Sequence, residues 1–151
     1  MQKRQPLWTN SRIHLFLIGA TLALVIIPYL NKTPGLEVAQ QSSAAADHFL
    51  KLVDSQAYSA SWEATSDVLR EMLSRETWNK KLSAMREPFG AVVERTREDI
   101  VYADPGDDMP AGEYVVVTFA TTFRFKELAR ETVTLLQEQG GEWLVAGYFL
   151  K

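Results

Sequence analysis

Glu131 is the charge in this chain with the strongest claim on chemistry, because it alternates with Val133 and Leu135 along a strand-like run and falls on their apolar side. A carboxylate on such a face needs a cationic partner, since burying it alone costs several kcal/mol or raises its pKa. Arg86, at the end of a predicted helix, and Arg95, on a predicted first strand, are the candidates, and a planar guanidinium meets a carboxylate through two parallel hydrogen bonds. Two chemistries follow. With an unpaired Glu131 as acid or base, tuned by Arg86 or Arg95, the trio is a polar focus at the base of a ligand pocket, a role that also needs hydrogen-bond donors where charge develops. Fully paired, the same trio is a structural ion pair. The chain supplies the carboxylate and shows no second set of donors, so the ion pair is favoured.

The other chemistry-bearing residues give weaker signals. Trp62, Trp78, Phe119, Phe123, Trp143 and Tyr148 are candidate lining for a hydrophobic pocket, but aromatics at helix and strand spacing more often pack a core. Asp104, Asp107 and Asp108 crowd one loop, yet DPGDDMPAG lacks the alternating order and terminal Glu of a calcium loop and reads as a solvated connection. His48 is the one histidine outside the apolar N-terminal run, too few nitrogen ligands for zinc and without the nucleophile of a triad. With no cysteine there is no disulfide, thiolate metal site or thiol catalysis, and no glycine-rich phosphate loop supports nucleotide binding. No metal or cofactor is expected.

Those residues need elements to hold them. Apolar positions recurring at three and four predict helices over 36–53, 57–73 and 75–87, the second with the stripe Tyr58, Trp62, Thr65, Leu69 and Met72. Ser74 reads as an N-cap, and Pro88 with Gly90 as the stop. From residue 91 the chain turns rich in Val, Thr, Tyr and Phe, which predicts strands over 91–102, 113–125, 128–139 and 142–150. Gly140-Gly141 predicts a two-residue hairpin between the last two. Alternation places Val115, Val117, Phe119 and Phe123 inward on the second strand, and Trp143, Val145, Gly147 and Phe149 inward on the fourth. Helices followed by an antiparallel sheet make an α+β domain with the three helices packed on one face of the four-stranded sheet.

The apolar run Ile13 to Leu30 is 18 residues long and free of Asp, Glu, Lys and Arg, enough to cover most of a bilayer core as a helix. Lys3, Arg4 and Arg12 precede it, which predicts a cytoplasmic N-terminus over 1–12, a single transmembrane helix over 13–30, a linker over 31–36 and an extracytoplasmic domain over 37–151. The expected address is a bacterial inner membrane with the domain periplasmic. A cleaved signal is the competing reading, but its small-residue site, Ala44 to Ala46, lies far beyond Leu30. Residues 1–35 carry a charge of +4 and residues 36–151 a charge of −7, and an acidic domain argues against nucleic acid as a partner.

Across most of residues 40–150 runs an ordered series: Asp54 and Tyr58 before Ser61-Trp62-Glu63, then Trp78, Arg86-Glu87-Pro88-Phe89-Gly90 and Glu94-Arg95. It continues through Gly112-Glu113-Tyr114, Phe119, Phe123, Glu131-Thr132-Val133 and the stretch from Trp143 to Phe149. This series resembles a bacterial family known as domain of unknown function 4019, and the element order resembles the cone-like fold of nuclear transport factor 2 and ketosteroid isomerase. The resemblance implies a curved sheet and a secreted or membrane-anchored module, and it brings no settled activity. The expectation is an accessory or scaffolding module that binds a protein, a second copy of itself or an envelope protein. The alternative is a small-molecule binder or isomerase-like enzyme using the cone.

Overall fold

A computed structural model describes residues 32–107 and 109–151, so the apolar run 13–30 and Asp108 lie outside the described residues. Among the described residues no helix is long and apolar enough to cross a membrane.

Among the described residues, four helices come first. Helix α1, Leu36–Asp54, buries Ala46, Phe49, Leu50 and Val53 along one face. It ends in a reversal in which Gln56, at φ 60°, donates its N–H to Val53 O while Ala57 N–H reaches Leu52 O. That pair of bonds satisfies the last carbonyls and swings the chain into α2, Tyr58–Glu63. The single helix expected over 57–73 is two short ones, α2 and α3, the latter Asp67–Met72. Between them Ala64 O accepts from Val145 N–H and Ser66 N–H donates to Val145 O, both at 2.8 Å, so the segment pairs with the edge of the sheet. A backbone that spends its bonds on a strand cannot also close helical turns. Ser66 then caps α3 through Leu69 N–H, and Met72, assigned to the buried stripe, is exposed. Helix α4, Arg75–Arg86, starts on Ser74, whose Oγ accepts Thr77 N–H at 3.2 Å.

The sheet is an antiparallel meander in the order β1-β2-β3-β4, formed by Val92–Ala103, Tyr114–Phe123, Lys126–Gln137 and Trp143–Leu150. Short connections between sequence neighbours suit such pairing. The β3–β4 turn is not the two-residue loop expected. Glu138 N–H donates to Glu142 O, Gly141 N–H donates to Glu138 O, and Gly141 alone of the pair has a positive φ, 85°. This is a three-residue loop whose last residue needs the left-handed conformation that glycine adopts freely.

Register decides which side chains face the helices. On β2 the inward set is Val115, Val117, Phe119, Thr121 and Phe123, all buried. On β4 strict alternation fails, because the register shifts between the pairs Thr134↔Gly147 and Leu135↔Val145. The extra residue there turns Ala146 to the opposite face, where it joins Tyr114, Val116 and Leu136. Tyr148 and Leu150, opposite Val133 and Glu131, are therefore inward, in place of the Gly147 and Phe149 that alternation predicted. The main core lies between the four helices, α3 contributing Leu69, and the inner sheet face. The outer face is covered near the β1–β2 loop by Val68 of α3 and Met109.

Candidate functional site

Glu131 is completely buried on β3, at 0 % exposure. Four donors surround it. Oε1 accepts from Arg86 Nη1 at 3.0 Å and from the Tyr148 hydroxyl at 2.6 Å. Oε2 accepts from Arg95 Nε and from the Thr121 hydroxyl, each at 2.6 Å. A carboxylate offers about four acceptor positions, so Glu131 is saturated.

Asp54, the last residue of α1, closes the arrangement from the other side. Its Oδ1 accepts from Arg86 Nη2 and Arg95 Nη2, both at 2.9 Å, and its Oδ2 accepts from Arg95 Nη1 at 2.7 Å. Two carboxylates and two guanidiniums thus alternate in a neutral ring that ties α1, α4, β1 and β3 together. Each element contributes for a local reason. Arg86 projects from the last turn of α4, where a cation suits the helix dipole. Arg95 and Thr121 are paired neighbours on β1 and β2, and Thr121 is opposite Ala129 on β3, two residues from Glu131.

The electrostatics follow from burial. Desolvation works against the Arg86 cation and is outweighed by Tyr148, Glu131 and Asp54, so its pKa rises. The same holds for Arg95, where bonds to Asp54 and Glu131 overcome desolvation. Burial, then the Glu131 carboxylate, push the Tyr148 phenol well above its ordinary value, with Arg86 opposing, so it stays protonated and donates. The Arg86 guanidinium also lies 4.6 Å from the centre of the Phe123 ring.

Glu131, Arg86 and Arg95 are thus brought together. Of the six aromatics, Phe123 and Tyr148 border the ring of charges, while Trp62, Trp78, Phe119 and Trp143 lie in the main core. Trp78 Nε1–H donates to Ser61 Oγ at 3.0 Å and its ring contacts those of Phe49 and Trp62. Phe49 in turn meets Tyr148 edge-on at 5.3 Å, so packed rings occupy the interior beside Glu131. Asp104 accepts Gly106 N–H within its own loop, and among the described residues no cluster of metal-ligating side chains forms.

Asp54 and Thr121 were not among the candidate residues. Asp54 reads in sequence as a turn or cap, and Thr121 as a strand residue without charge. The available signal was that Thr121 shares the inward parity of Val117, Phe119 and Phe123.

No curated protein matches the chain in sequence. Among solved structures, Aln2 from a Streptomyces species is similar in fold at 12% identity and a TM-score of 0.51, over 80% of this chain and 93% of that one. The family profile described as "Protein of unknown function (DUF4019)" matches residues 45–148, a range that includes all six residues of the hydrogen-bonded site around Glu131. The chain belongs to the DUF4019 family, and its α+β domain resembles the cone-like fold of nuclear transport factor 2 and ketosteroid isomerase.

Proposed function

We propose that this chain is a single-pass inner-membrane protein, with its N-terminus cytoplasmic, whose extracytoplasmic domain is an accessory or scaffolding module that binds a protein partner. The observation that carries this reading is the saturation of Glu131. A general acid or base must reach a substrate proton, and every acceptor position of this carboxylate is taken by a protein donor. The ring of charges then serves as a rigid strut, holding helices and sheet in one arrangement so that an outer surface is presented in constant shape. The address rests on the apolar run 13–30 and its basic N-terminal flank.

Purification from membranes through a C-terminal tag in mild detergent tests the partner. An envelope protein recovered in constant ratio supports a hetero-complex, and repeated recovery of the chain alone counts against a stable hetero-partner and leaves a second copy of the chain as the partner. An alkaline phosphatase fused after Lys151 tests the topology and is expected to be active; an inactive fusion reverses the orientation. The isomerase-like alternative predicts turnover or ligand binding that Glu131→Gln abolishes while the fold remains intact.

A further inference from the structure

Among the described residues, those that cover the outer face of the sheet lie at one end. At the other, where β2 turns into β3, an open groove of about 510 Å³ is lined by Glu98, Ala120, Lys126, Leu128, Ala129, Arg130 and Lys151. Leu128 stands 91 % exposed beside it because it shares the outward parity of Arg130, next to the inward Ala129, on a stretch of the face left uncovered by the described residues. At the same end Phe125 is 67 % exposed and Val93 70 %. These are not slack side chains on a loose loop. Phe125 N–H donates to Phe89 O, Arg124 N–H donates to Ala91 O, and the Phe125 ring comes within 2.7 Å of where a Cβ on Gly90 would sit. Gly90, at φ 76°, both makes the turn and leaves room for the ring.

The charges at the groove are also unusual for this domain, whose net charge is −7. Arg130 is paired with Glu98 at 3.2 Å. Lys126 and Lys151 have no carboxylate partner among the described residues, and Lys126 instead lies 6.0 Å from the Phe89 ring centre. A groove with an apolar floor and with Lys126 and Lys151 in its lining complements a segment bearing both aliphatic side chains and carboxylates.

The position of the groove follows from where the chain enters the domain. Lys32 O accepts Tyr102 N–H at 2.9 Å, which fixes the entering segment at the β1–β2 loop end of the sheet. One residue, Asn31, separates Lys32 from the end of the apolar run. Tyr102 and Val92 lie ten positions apart on β1, roughly 30 Å at the usual rise, so the groove is at the pole away from the entry point. A strand added to the β1 edge is the poorer docking mode, because β1 is bulged at two places and carries charges along that edge.

We propose that this groove, with Leu128 at its rim and Lys126 and Lys151 beside it, is the docking surface for an acidic, aliphatic segment of a partner protein, held away from the bilayer. This deepens the module reading above and rests on it. A photoreactive benzoylphenylalanine in place of Leu128, in the full chain in its own membranes, is expected to give a protein adduct. Lys126→Glu with Lys151→Glu should abolish that adduct, and the same probe in place of the exposed Glu113 should give none. In parallel, a fluorescein-labelled Glu-Leu-Glu-Leu-Glu peptide should bind the detergent-solubilised full chain. The double substitution should weaken that binding at least tenfold, and the Lys-Leu counterpart should not bind. Adducts only with lipid or with a second copy, or peptide binding unmoved by the double substitution, overturn the proposal. Carbonate extraction of the same membranes separates the two readings: release of the chain sinks the anchor, whereas the peptide titration still reads the groove.

Discussion

Glu131 and its four donors make the interior of this domain polar at one point, and the cost of that choice sets what substitution there does. Glu131→Gln replaces one acceptor oxygen with an amide donor aimed at donors, and leaves two guanidiniums short of a carboxylate. Breaking a buried pair in this way costs about 3–5 kcal/mol, so the midpoint in urea should fall steeply at neutral pH. Tyr148→Phe is milder, about 1–2 kcal/mol, through loss of one buried hydrogen-bonding group. Its signature is in alkali. Burial and then Glu131 raise the Tyr148 pKa in the folded state, so the folded state holds that proton more tightly than the unfolded chain, where the value is about 10. The hydroxyl's contribution is complete below about pH 10 and is lost as the pH rises through the folded value. Stability measured by urea unfolding should therefore fall less above pH 10 in Tyr148→Phe than in the parent. Glu131 could be found by asking which charge falls on an apolar face, and Arg86 and Arg95 by asking which cations could partner it. Asp54 and Thr121 could not, because their importance lies in whom they meet across the fold.

Helix ends and strand irregularities aim these side chains. Asp54 reaches the ring because α1 stops there, and α1 stops because Gln56 takes a left-handed conformation that closes the helix with two backbone bonds. A side chain with a Cβ is strained at that φ, so Gln56→Gly should stabilise the domain by up to about 1 kcal/mol, read as a raised thermal midpoint. The irregularity in β4 matters as much. One extra residue puts Ala146 in the outer cluster and turns Tyr148 toward Glu131. The composition of a strand does not announce such a residue, since a bulged run is as rich in Val, Phe and Tyr as a regular one. The break between α2 and α3 has the same character: Tyr58, Trp62, Thr65 and Leu69 keep helical spacing across it, while Val145 takes the backbone bonds of Ala64 and Ser66.

Taken whole, the described residues hold a continuous core of their own: helices on one sheet face, a smaller cluster on the other, and Lys32 tied to Tyr102 where the chain enters. Removal of residues 1–31 should therefore leave a domain that melts cooperatively, within a few degrees of the full chain by circular dichroism. A loss of cooperative melting would mean that the N-terminal run contributes to the fold itself. The sequence by itself determined the α+β class, the order of helices before strands, the family, and the parity that turns Glu131 inward. These depend on local periodicity, which a side chain's immediate neighbours set. Only the tertiary structure decided that α2 and α3 are separate, that Tyr148 faces inward, that Asp54 joins two arginines, and that the sheet is left open beside Leu128. Each depends on bonds between residues far apart in the chain, and no local pattern encodes which distant backbone group or charge will be met.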